Sequence, residues 1–550
     1  MNRQRSASLV LAVVLVMASG PNRAHNLRAD FTLATITVNS TADVIADDGQ
    51  CTLREAIVAA NTDTASGAVA GECVAGNGGD TVDLTGITGT ITLTSPLPSI
   101  TSDIIFSGPG SSHLTVWRDS LSGNYRILTV DAGVVVTIWG LTISGGLVVG
   151  DDNGGGIYNA GMLTLINTTI SDNEAVGDGT FAGTGGGVYN LGTVELIDST
   201  ISRNEASDYG GGVYNDGVDG TAMLTNSTCV SNTAMHGGGL FNDDGTVGLT
   251  NSTISGNEAV RVGDYGGVGG GIRNHYGTVE LTSSTVSGNS AETAGGGIYS
   301  LGTVELVNTI VADQLLGADC SADLITSNGY NLDSDGSCGL SASGDLTADP
   351  MLGPLQDNGG PTETRALLDG SPAIDAIPIA SCTDHHGRPV TTDQRGVNRP
   401  QGAACDVGAY EAVHSALHLP LIVYNYMPLV TFPLYIGDAI PERNVAYQGE
   451  VFYSTPVQIP GQLPSGGHFY FSSQRDTLAE VMVDDELVVL LDGAEVFAYD
   501  FSTSGTPVPA TVEVPRATME QLAGRTVTIE YRDVYGSVVG ASAMWLVWAP

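Results

Sequence analysis

The sequence predicts an all-β protein whose centre is a right-handed parallel β-helix, and an internal repeat carries most of that prediction. A Gly-Gly-Gly triplet, then an aliphatic residue, usually an aromatic residue and usually Asn, recurs six times. The copies start at Gly154, Gly185, Gly210, Gly237, Gly269 and Gly295. Their spacing of 25 to 32 residues suits one coil of a solenoid and is too short for a propeller blade.

The pattern inside each repeat indicates strands. Apolar residues alternate, as at Val194 and Leu196, and Gly, Asn, Asp and Ser separate the alternating runs. No stripe with a 3.6-residue period is present, so helices are not expected in the repeats. Three short strands at about 3.3 Å per residue fit one coil. The right hand follows from the usual hand of parallel β connections.

One corner of the coil varies in length. Nine residues separate Ala175 from Gly185, whereas two separate Ala234 from Gly237. In a solenoid, insertions at one corner lie along one edge of the rod, and such an edge often binds a partner.

The N-terminus is typical of a secretory signal peptide, because Arg3 and Arg5 precede the apolar run Leu9–Ala18. No later segment reaches about 18 uninterrupted apolar residues, so no transmembrane segment is predicted. We therefore expect a secreted, extracellular protein that associates with the cell surface, and we expect a monomer.

Cysteine usage suits an oxidising compartment. Six of the seven cysteines lie near one another in sequence and favour three local disulfides, although spacing alone leaves the connectivity open. The expected pairs are Cys51 with Cys73, Cys320 with Cys338, and Cys382 with Cys405. Cys229 occupies a position that Ile201 and Ile254 hold in other repeats, which favours a buried, unreactive thiol.

Charge excludes two classes of partner. The chain has 60 acidic residues, no Lys and a formal net charge of −41. Nucleic acid and anionic membranes are therefore not expected partners. The acidic excess is explained by solubility of a long β surface.

Motifs on both sides of the repeats resemble a known family. Cys51–Asn61 resembles the motif that names the CSLREA domain of secreted bacterial β-helix proteins, with Thr52 in place of Ser. Four later motifs resemble the choice-of-anchor Q ending of the same proteins: Asp357–Thr362, Gly370–Asp375, Asp393–Gly396 and Asp406–Glu411. The repeats also resemble those of polymorphic outer-membrane proteins. The resemblance covers roughly residues 36–411 and implies a pectin-lyase-like β-helix, but no particular activity.

These observations divide the chain into six parts. They are a signal peptide (1–24), an N-terminal cap (31–80), the β-helix repeats (81–315), the C-terminal end of the β-helix (316–411), a linker (412–429) and a small all-β domain (430–550). Leu53–Asn61 is expected to form a capping helix, with Ala56, Ile57 and Ala60 on its apolar face and Arg54 and Glu55 off it. Alternating strands and the hairpin signal at Asp492-Gly493 predict a sandwich-like final domain.

An aromatic column is the first candidate binding feature. One repeat position holds Tyr158, Tyr189, Tyr214, Phe241 and Tyr299, with Arg273 interrupting the series. On an outward face these rings are candidates for stacking against sugar rings. A structural ladder of rings stacked on each other explains the regular repetition better.

Carboxylates form a second candidate site. Asp151 and Asp152 crowd the variable corner, and Glu280 and Glu305 share one repeat position on successive coils. Ca²⁺ is the ion that such oxygen ligands would suit. Solvated carboxylates are the favoured interpretation, so no cofactor is predicted and Ca²⁺ remains the alternative.

A polysaccharide-cleaving site is the third candidate. As a fold-class resemblance, β-helix lyases and hydrolases use a Ca²⁺-assisted basic residue or clustered Asp residues. Here the candidates are Arg273, His275, Asp243 and Asp244, with Arg203, Arg261 and His236 as further choices. None of them lies in a glycosidase or lyase motif.

The sequence therefore favours an adhesin or polysaccharide-binding protein without catalysis, whose partner is a polysaccharide or a cell-surface glycan. A polysaccharide lyase or glycoside hydrolase acting on acidic glycans is the alternative. A structural component of the envelope is the third hypothesis.

Overall fold

The computed structural model describes residues 33–413 except 179–182, 264 and 323, and beyond 413 only separate strands and residues 518–519. The chain forms two compact units, Met1–His414 and Ser415–Pro550. The predicted signal peptide and most of the predicted linker lie outside the described residues. No helix among the described residues is long and apolar enough to cross a membrane.

The first unit is a parallel β-helix of four sheets, which we name A to D. Sheet A contains Ala34–Thr37, Gly79–Asp83, Asp103–Ser107, Val135–Trp139, Met162–Ile166, Thr193–Ile197, Thr221–Thr225, Thr246–Thr250, Thr278–Thr282, Thr303–Val307 and Ile325–Ser327. Sheet B contains Gly89–Leu93, Leu114–Arg118, Thr142–Ser144, Thr169–Ser171, Thr200–Ser202, Thr228–Val230, Thr253–Ser255, Thr285–Ser287, Ile310–Ala312, Leu332–Asp333 and Leu346–Thr347.

Sheets C and D complete each coil. Sheet C contains Leu128–Val130, Ile157–Asn159, Val188–Asn190, Val213–Asn215, Leu240–Asn242, Ile272–Asn274, Ile298–Ser300 and Cys320–Ala322. Sheet D contains Leu147–Val149, Glu174–Val176, Glu205–Ala206, Thr233–Ala234, Glu258–Ala259 and Ser290–Ala291. Strands of successive coils pair in parallel, as Val188–Asn190 does with Val213–Asn215. The parallel β-helix predicted from the repeat is confirmed; its hand stays a prediction.

The coil differs from the prediction in having a fourth strand position. The sequence predicted three short strands in each coil, and Glu205–Ala206 belongs to a fourth, because it is extended and pairs with the segments before and after it. Such strands have only two or three residues, too few for an alternating pattern to be visible in the sequence. Sheet A also begins at Ala34, inside the region assigned to the cap.

The interior of the coil is filled by the alternating apolar residues and by ladders of Asn. Val194, Leu196 and Ile201 are fully buried, as is Cys229, whose burial raises its thiol pKa to about 12. From Asn159 to Asn274, the buried Asn of each sheet C strand donates from Nδ2 to Oδ1 of the next, as Asn190 does to Asn215 at 2.8 Å. A second ladder includes the Nδ2 of Asn204 and the Oδ1 of Asn232, 2.9 Å apart. Each amide therefore satisfies its neighbour, which removes the cost of burying it.

The Gly-Gly-Gly triplets lie where successive coils approach most closely. Gly185 has φ +66°, which disfavours other residues. A Cβ on Gly186 would lie 2.6 Å from the carbonyl oxygen of Gly211 in the next coil. Glycine is thus required by contact between coils as well as by backbone conformation.

The N-terminal helix α1, Leu53–Thr62, closes the first coil as predicted. Thr52 caps it in a reciprocal capping box with Glu55, so Thr serves where the CSLREA motif has Ser. Arg54 and Glu55 are buried as well as the apolar face. Arg54 is buried because its Nε donates to Asp43 at 2.8 Å and its Nη2 to the carbonyl of Ser95 at 2.7 Å.

The three expected disulfides are formed: Cys51–Cys73, Cys320–Cys338 and Cys382–Cys405. The last one belongs to residues 352–411, which we name the strap. The strap contains an antiparallel hairpin, Leu352–Gln356 with Thr364–Leu367, and the 3-10 turn Ile379–Ser381.

The strap binds the outer face of sheet B through a buried glutamine. Gln394 Nε2 donates to Thr228 Oγ1 at 2.8 Å, and its Oε1 accepts from Thr253 Oγ1 at 2.6 Å. Asn251 Nδ2 donates to the carbonyl of Thr392 at 2.9 Å. The motifs that resemble the choice-of-anchor Q ending therefore lie in a segment that docks onto the β-helix.

The second unit contains two antiparallel sheets of four strands each. They are built from Leu434–Gly437, Met544–Ala549, His468–Ser473 and Thr511–Val514, and from Val451–Gln458, Thr526–Asp533, Asp485–Leu491 and Ala494–Asp500. This agrees with the predicted all-β domain. Leu491 pairs with Ala494, as a hairpin at Asp492-Gly493 requires, although those two residues lie outside the described part.

Candidate functional site

The outer face of sheet C carries the aromatic column. In each strand the first and third residues point inward, so Val188 and Asn190 are fully buried, and the middle residue points outward. Register pairing places the middle residues of successive coils side by side: Tyr158, Tyr189, Tyr214, Phe241, Arg273 and Tyr299.

The rings of this column stack on one another. Ring centroids are 5.4 Å apart for Tyr158 and Tyr189, 5.3 Å for Tyr189 and Tyr214, and 5.2 Å for Tyr214 and Phe241. Arg126 lies over Tyr158 at 5.1 Å. A ligand would therefore meet ring edges and hydroxyls, because the ring faces are occupied by neighbours.

Arg273 continues the column in place of an aromatic ring. Its guanidinium carbon lies 5.3 Å from the centroid of Phe241 and 5.4 Å from that of Tyr299. Its Nη1 donates to His236 Nδ1 at 2.7 Å. Its Nε is buried without a hydrogen-bond partner, and no described carboxylate forms an ion pair with it. Burial lowers the pKa of Arg273, but an arginine remains charged at neutral pH.

A second row of rings lies beside the column, on the residues that precede the Gly triplets. Tyr209 and His236 are paired on successive coils and stack at 5.4 Å. Tyr209 also meets Phe241 edge-on at 4.8 Å. Burial and the neighbouring positive charge of Arg273 lower the pKa of His236 to about 4. His236 is therefore neutral at pH 7 and can accept the hydrogen bond from Arg273.

A third row follows the buried Asn residues and joins three coils by hydrogen bonds. His275 Nδ1 lies 2.7 Å from Asp243 Oδ1, and Tyr214 donates to Asp243 Oδ2 at 3.4 Å. Tyr189 donates to Asp216 in the same way. Burial, together with these carboxylates, raises the pKa of both tyrosines. Since a carboxylate only accepts, the Nδ1 of His275 carries a proton, and in the neutral ring Nε2 is then the acceptor.

We name this group of side chains the Arg273 cluster. It contains Tyr189, Tyr209, Tyr214, Asp216, His236, Phe241, Asp243, Arg273, His275 and Tyr276. The His275 and Asp243 side chains are 31% and 28% exposed, and the Tyr276 ring is tilted against His275 with centroids 4.0 Å apart. The cluster thus combines a positive charge without a carboxylate and a histidine held by one.

The structure brings together three of the four candidate catalytic residues. Arg273, His275 and Asp243 belong to the cluster with His236, whereas Asp244 is exposed beside it. The further choices lie elsewhere: Arg203 forms an exposed ion pair with Asp172, and Arg261 lies in the two-stranded ribbon of Arg261–Val262 and Tyr265–Gly266.

The candidate metal ligands do not converge. Asp151 and Asp152 are exposed, and Asp152 forms an ion pair with Arg126 at 3.0 Å. Glu280 and Glu305 are in register on sheet A, as expected, and Glu305 lies 3.7 Å from His385 Nδ1. Asp151 and Asp152 lie in the loop after Leu147–Val149, whereas Glu280 and Glu305 lie in sheet A, and Ca²⁺ binding stays a prediction.

A different acidic group has its oxygen atoms close together. Ligand atoms of Asp319, Asp333 and Asp335 lie within 4.8 Å of one another. Their oxygens accept backbone N–H groups of a tight turn beside the Cys320–Cys338 disulfide, as Asp333 Oδ2 does from Cys338 at 2.9 Å. Burial raises the pKa of Asp333 to about 6. Turn formation accounts for these carboxylates.

Two functional neighbours were missed from the sequence. Tyr209 precedes a Gly triplet as His236 does, and Asp216 follows a repeat Asn as Asp243 does. Alignment of the repeats contains both equivalences. The alignment does not show which side chains touch. The contact of Tyr209 with Phe241 is visible only once the side chains of successive coils are placed in three dimensions.

Comparisons with known proteins add little. No protein-family model matches the chain, and no curated protein matches it. Among solved structures, pectate lyase Pel9A is similar over 69% of this chain and 96% of its own, at 16% identity and a TM-score of 0.36. A likeness this distant carries no functional argument, and the fold rests on the strand pairing. The resemblance to CSLREA and choice-of-anchor Q proteins stays a prediction.

Proposed function

We propose that this protein binds an acidic polysaccharide on the outer face of sheet C, as an extracellular binding protein or adhesin. The observation that carries the proposal is the half-buried guanidinium of Arg273, which has no carboxylate partner among the described residues. A planar guanidinium binds a carboxylate through two parallel hydrogen bonds, and partial burial strengthens that attraction.

The partners of other arginines support this interpretation. Carboxylates pair with Arg54, Arg126 and Arg203, and Arg118 donates to the carbonyls of Gly145 and Gly123 at 2.7 Å each. The chain has 60 acidic residues for 19 basic ones, so carboxylates are abundant as partners for arginine. Arg273 instead has a neutral histidine and two rings, which leaves its charge available to a ligand.

The shape of the face supports a linear ligand. The aromatic column and its two flanking rows run parallel to the axis of the β-helix. Each row has one side chain per coil, and successive coils are about 4.8 Å apart. The hydroxyl oxygens of Tyr189 and Tyr214, whose protons bond Asp216 and Asp243, can accept hydrogen bonds from sugar hydroxyls. The three disulfides support an oxidising, extracellular location.

Binding to matched polymers tests the proposal. We would titrate the purified full chain with polygalacturonate, alginate and hyaluronan, and with carboxyl-reduced forms of each, in EDTA and in Ca²⁺. At least one acidic polymer should bind in EDTA, and its reduced form should not. Arg273→Gln should weaken binding about tenfold to a hundredfold, because one charge-assisted contact is lost.

Arg203→Gln is the matched control, since Arg203 is exposed and already paired with Asp172. It should leave the affinity unchanged. Equal binding of acidic and reduced polymers, or binding that survives Arg273→Gln, would contradict the proposal. Binding that requires Ca²⁺ and ignores Arg273 would instead favour the predicted carboxylate sites.

A further inference from the structure

We propose that the Arg273 cluster also cleaves the polysaccharide that it binds, by β-elimination at a uronate residue with His275 as the base. This inference rests on the proposed function, since the uronate carboxylate must first reach Arg273. It goes beyond binding because it assigns a reaction and a catalytic residue to the same face.

His275 has the environment of a general base. Its Nδ1 lies 2.7 Å from Asp243 Oδ1, and Asp243 is held in turn by the hydroxyl of Tyr214. A carboxylate on one ring nitrogen fixes the tautomer and directs the lone pair of the other nitrogen outward. The imidazole is partly exposed, so a bound chain can reach Nε2.

Arg273 and His275 both lie near Phe241, and the proposal requires one sugar to contact both. Arg273 and His275 are two residues apart at the end of strand Ile272–Asn274 and lie at one ring. The centroid of Phe241 is 5.3 Å from the Arg273 guanidinium carbon and 6.3 Å from the His275 ring centroid. A guanidinium bound to the carboxylate of a uronate would stabilise the negative charge that develops when the adjacent C5 proton is removed.

The reaction is balanced without any co-reactant. His275 Nε2 takes the proton from C5, and the electrons of that C–H bond form the C4–C5 double bond. The C4–O4 bond breaks, and its electrons leave with O4. The imidazolium then returns its proton to O4, which restores neutral His275 and releases one unsaturated end and one hydroxyl end.

Glycoside hydrolysis fits this cluster less well. It requires a carboxylic acid and a free carboxylate on opposite sides of the glycosidic bond. Asp216 accepts a hydrogen bond from the hydroxyl of Tyr189, and Asp243 accepts hydrogen bonds from both Tyr214 and His275. Neither carboxylate is therefore free for hydrolysis. His236 is already the acceptor for Arg273, which assigns it to positioning that guanidinium.

The test measures affinity and product formation on one polymer. Incubation of the full chain with the acidic polymer that it binds should release unsaturated ends. Their ultraviolet absorbance measures the rate. His275→Gln should lower the rate at least about a hundredfold while the affinity changes less than about twofold. His113→Gln is the control, because His113 is exposed and outside the cluster.

Asp243→Asn tests the positioning of His275. It should lower kcat and leave KM nearly unchanged, because Asn still fills the space but cannot hold the Nδ1–H tautomer as a carboxylate does. Each variant's thermal melting temperature shows that it is folded.

The outcomes separate the two proposals. Absence of binding to any acidic polymer would overturn the proposed function, and the inference with it. Binding without unsaturated ends would leave the proposed function intact and overturn the inference. Saturated reducing ends would show hydrolysis, and cleavage that survives His275→Gln would remove the base assigned here; either result would also overturn it.

Discussion

Arg273 is held in place by neutral groups. His236 accepts from its Nη1, and Phe241 and Tyr299 lie on the coils before and after it. Aromatic rings offset part of the cost of burying a cation, and a neutral histidine leaves the charge uncompensated. Protonation of His236 would place two positive charges 2.7 Å apart, so the arrangement depends on an unprotonated imidazole.

The depressed pKa of His236 predicts a dependence of stability on pH. Its pKa is about 4 in the folded chain and about 6.5 when unperturbed. Between those values the unfolded state binds the extra proton, so the free energy of unfolding falls as pH falls from about 6.5 to 4. Denaturant unfolding of the wild type should show this slope, and His236→Gln, which keeps an acceptor for Arg273, should reduce it.

Comparing the wild type with His236→Gln separates the contribution of His236 to the pH dependence of stability from the opposite contribution of buried carboxyl groups. Burial raises the pKa of Asp333 and Asp406 to about 6, which stabilises the folded chain as pH falls through the same range. These carboxylates are present in both proteins and cancel in the difference. An identical slope in the wild type and in His236→Gln would show that folding does not lower the pKa of His236.

At the scale of the element, each coil is determined by contact with the next. The Asn side chains of sheet C strands satisfy one another from coil to coil, and the Gly triplets bring backbone against backbone. Short strands of two to five residues are sufficient because pairing continues on both sides. The stability of one coil therefore depends on its neighbours more than on its own strand propensity.

Gly211→Ala tests this contact. A Cβ at Gly211 would lie 2.4 Å from the carbonyl oxygen of Thr233 and 2.5 Å from that of Gly238. We expect destabilisation of about 1–3 kcal/mol or more, since two backbone segments must move. Urea unfolding measures it. Gly86→Ala, with no atom within 4 Å of the new Cβ, should change stability by about 0.5 kcal/mol at most; similar values for both would contradict the argument.

At the scale of the whole molecule, the β-helix is covered at its first coil and along the outer face of sheet B by its own chain. Helix α1 covers the first coil, and the strap docks onto the outer face of sheet B through Gln394. Helix α1 and the strap belong to one compact unit, whose last residue is His414. The Arg273 cluster, helix α1, the strap and the three disulfides all belong to this unit.

A chain ending at Val413 should therefore fold and function. We expect it to keep the melting temperature of the β-helix transition within a few degrees and to bind the same acidic polymer with unchanged affinity, because no described contact of the cluster involves residues after 413. Calorimetry and the titration described above measure both. A large drop in melting temperature would assign a stabilising role to residues 414–550, and a loss of affinity would assign them part of the binding site.

The sequence by itself determined the features that repeat or are local. Equivalent positions such as Tyr158, Tyr189 and Tyr214 were predicted to align because parallel pairing places the same residue of each coil in one column. The capping helix and the disulfides followed from nearby residues, whose separation in the chain limits their separation in space. The parallel β-helix was therefore accessible from periodicity, whereas its fourth strand position was too short to show an alternating pattern.

Only the tertiary structure decided which side chains meet across coils. Asp243 and His275 are 32 residues apart, and Gln394 is 141 residues from Thr253. Their contacts depend on the lengths of the variable loops, on the path of the strap and on side-chain rotamers, none of which is periodic. The same reason explains the ring faces of the aromatic column: the repeat predicted the alignment, but the side-chain torsions decided that the rings cover one another.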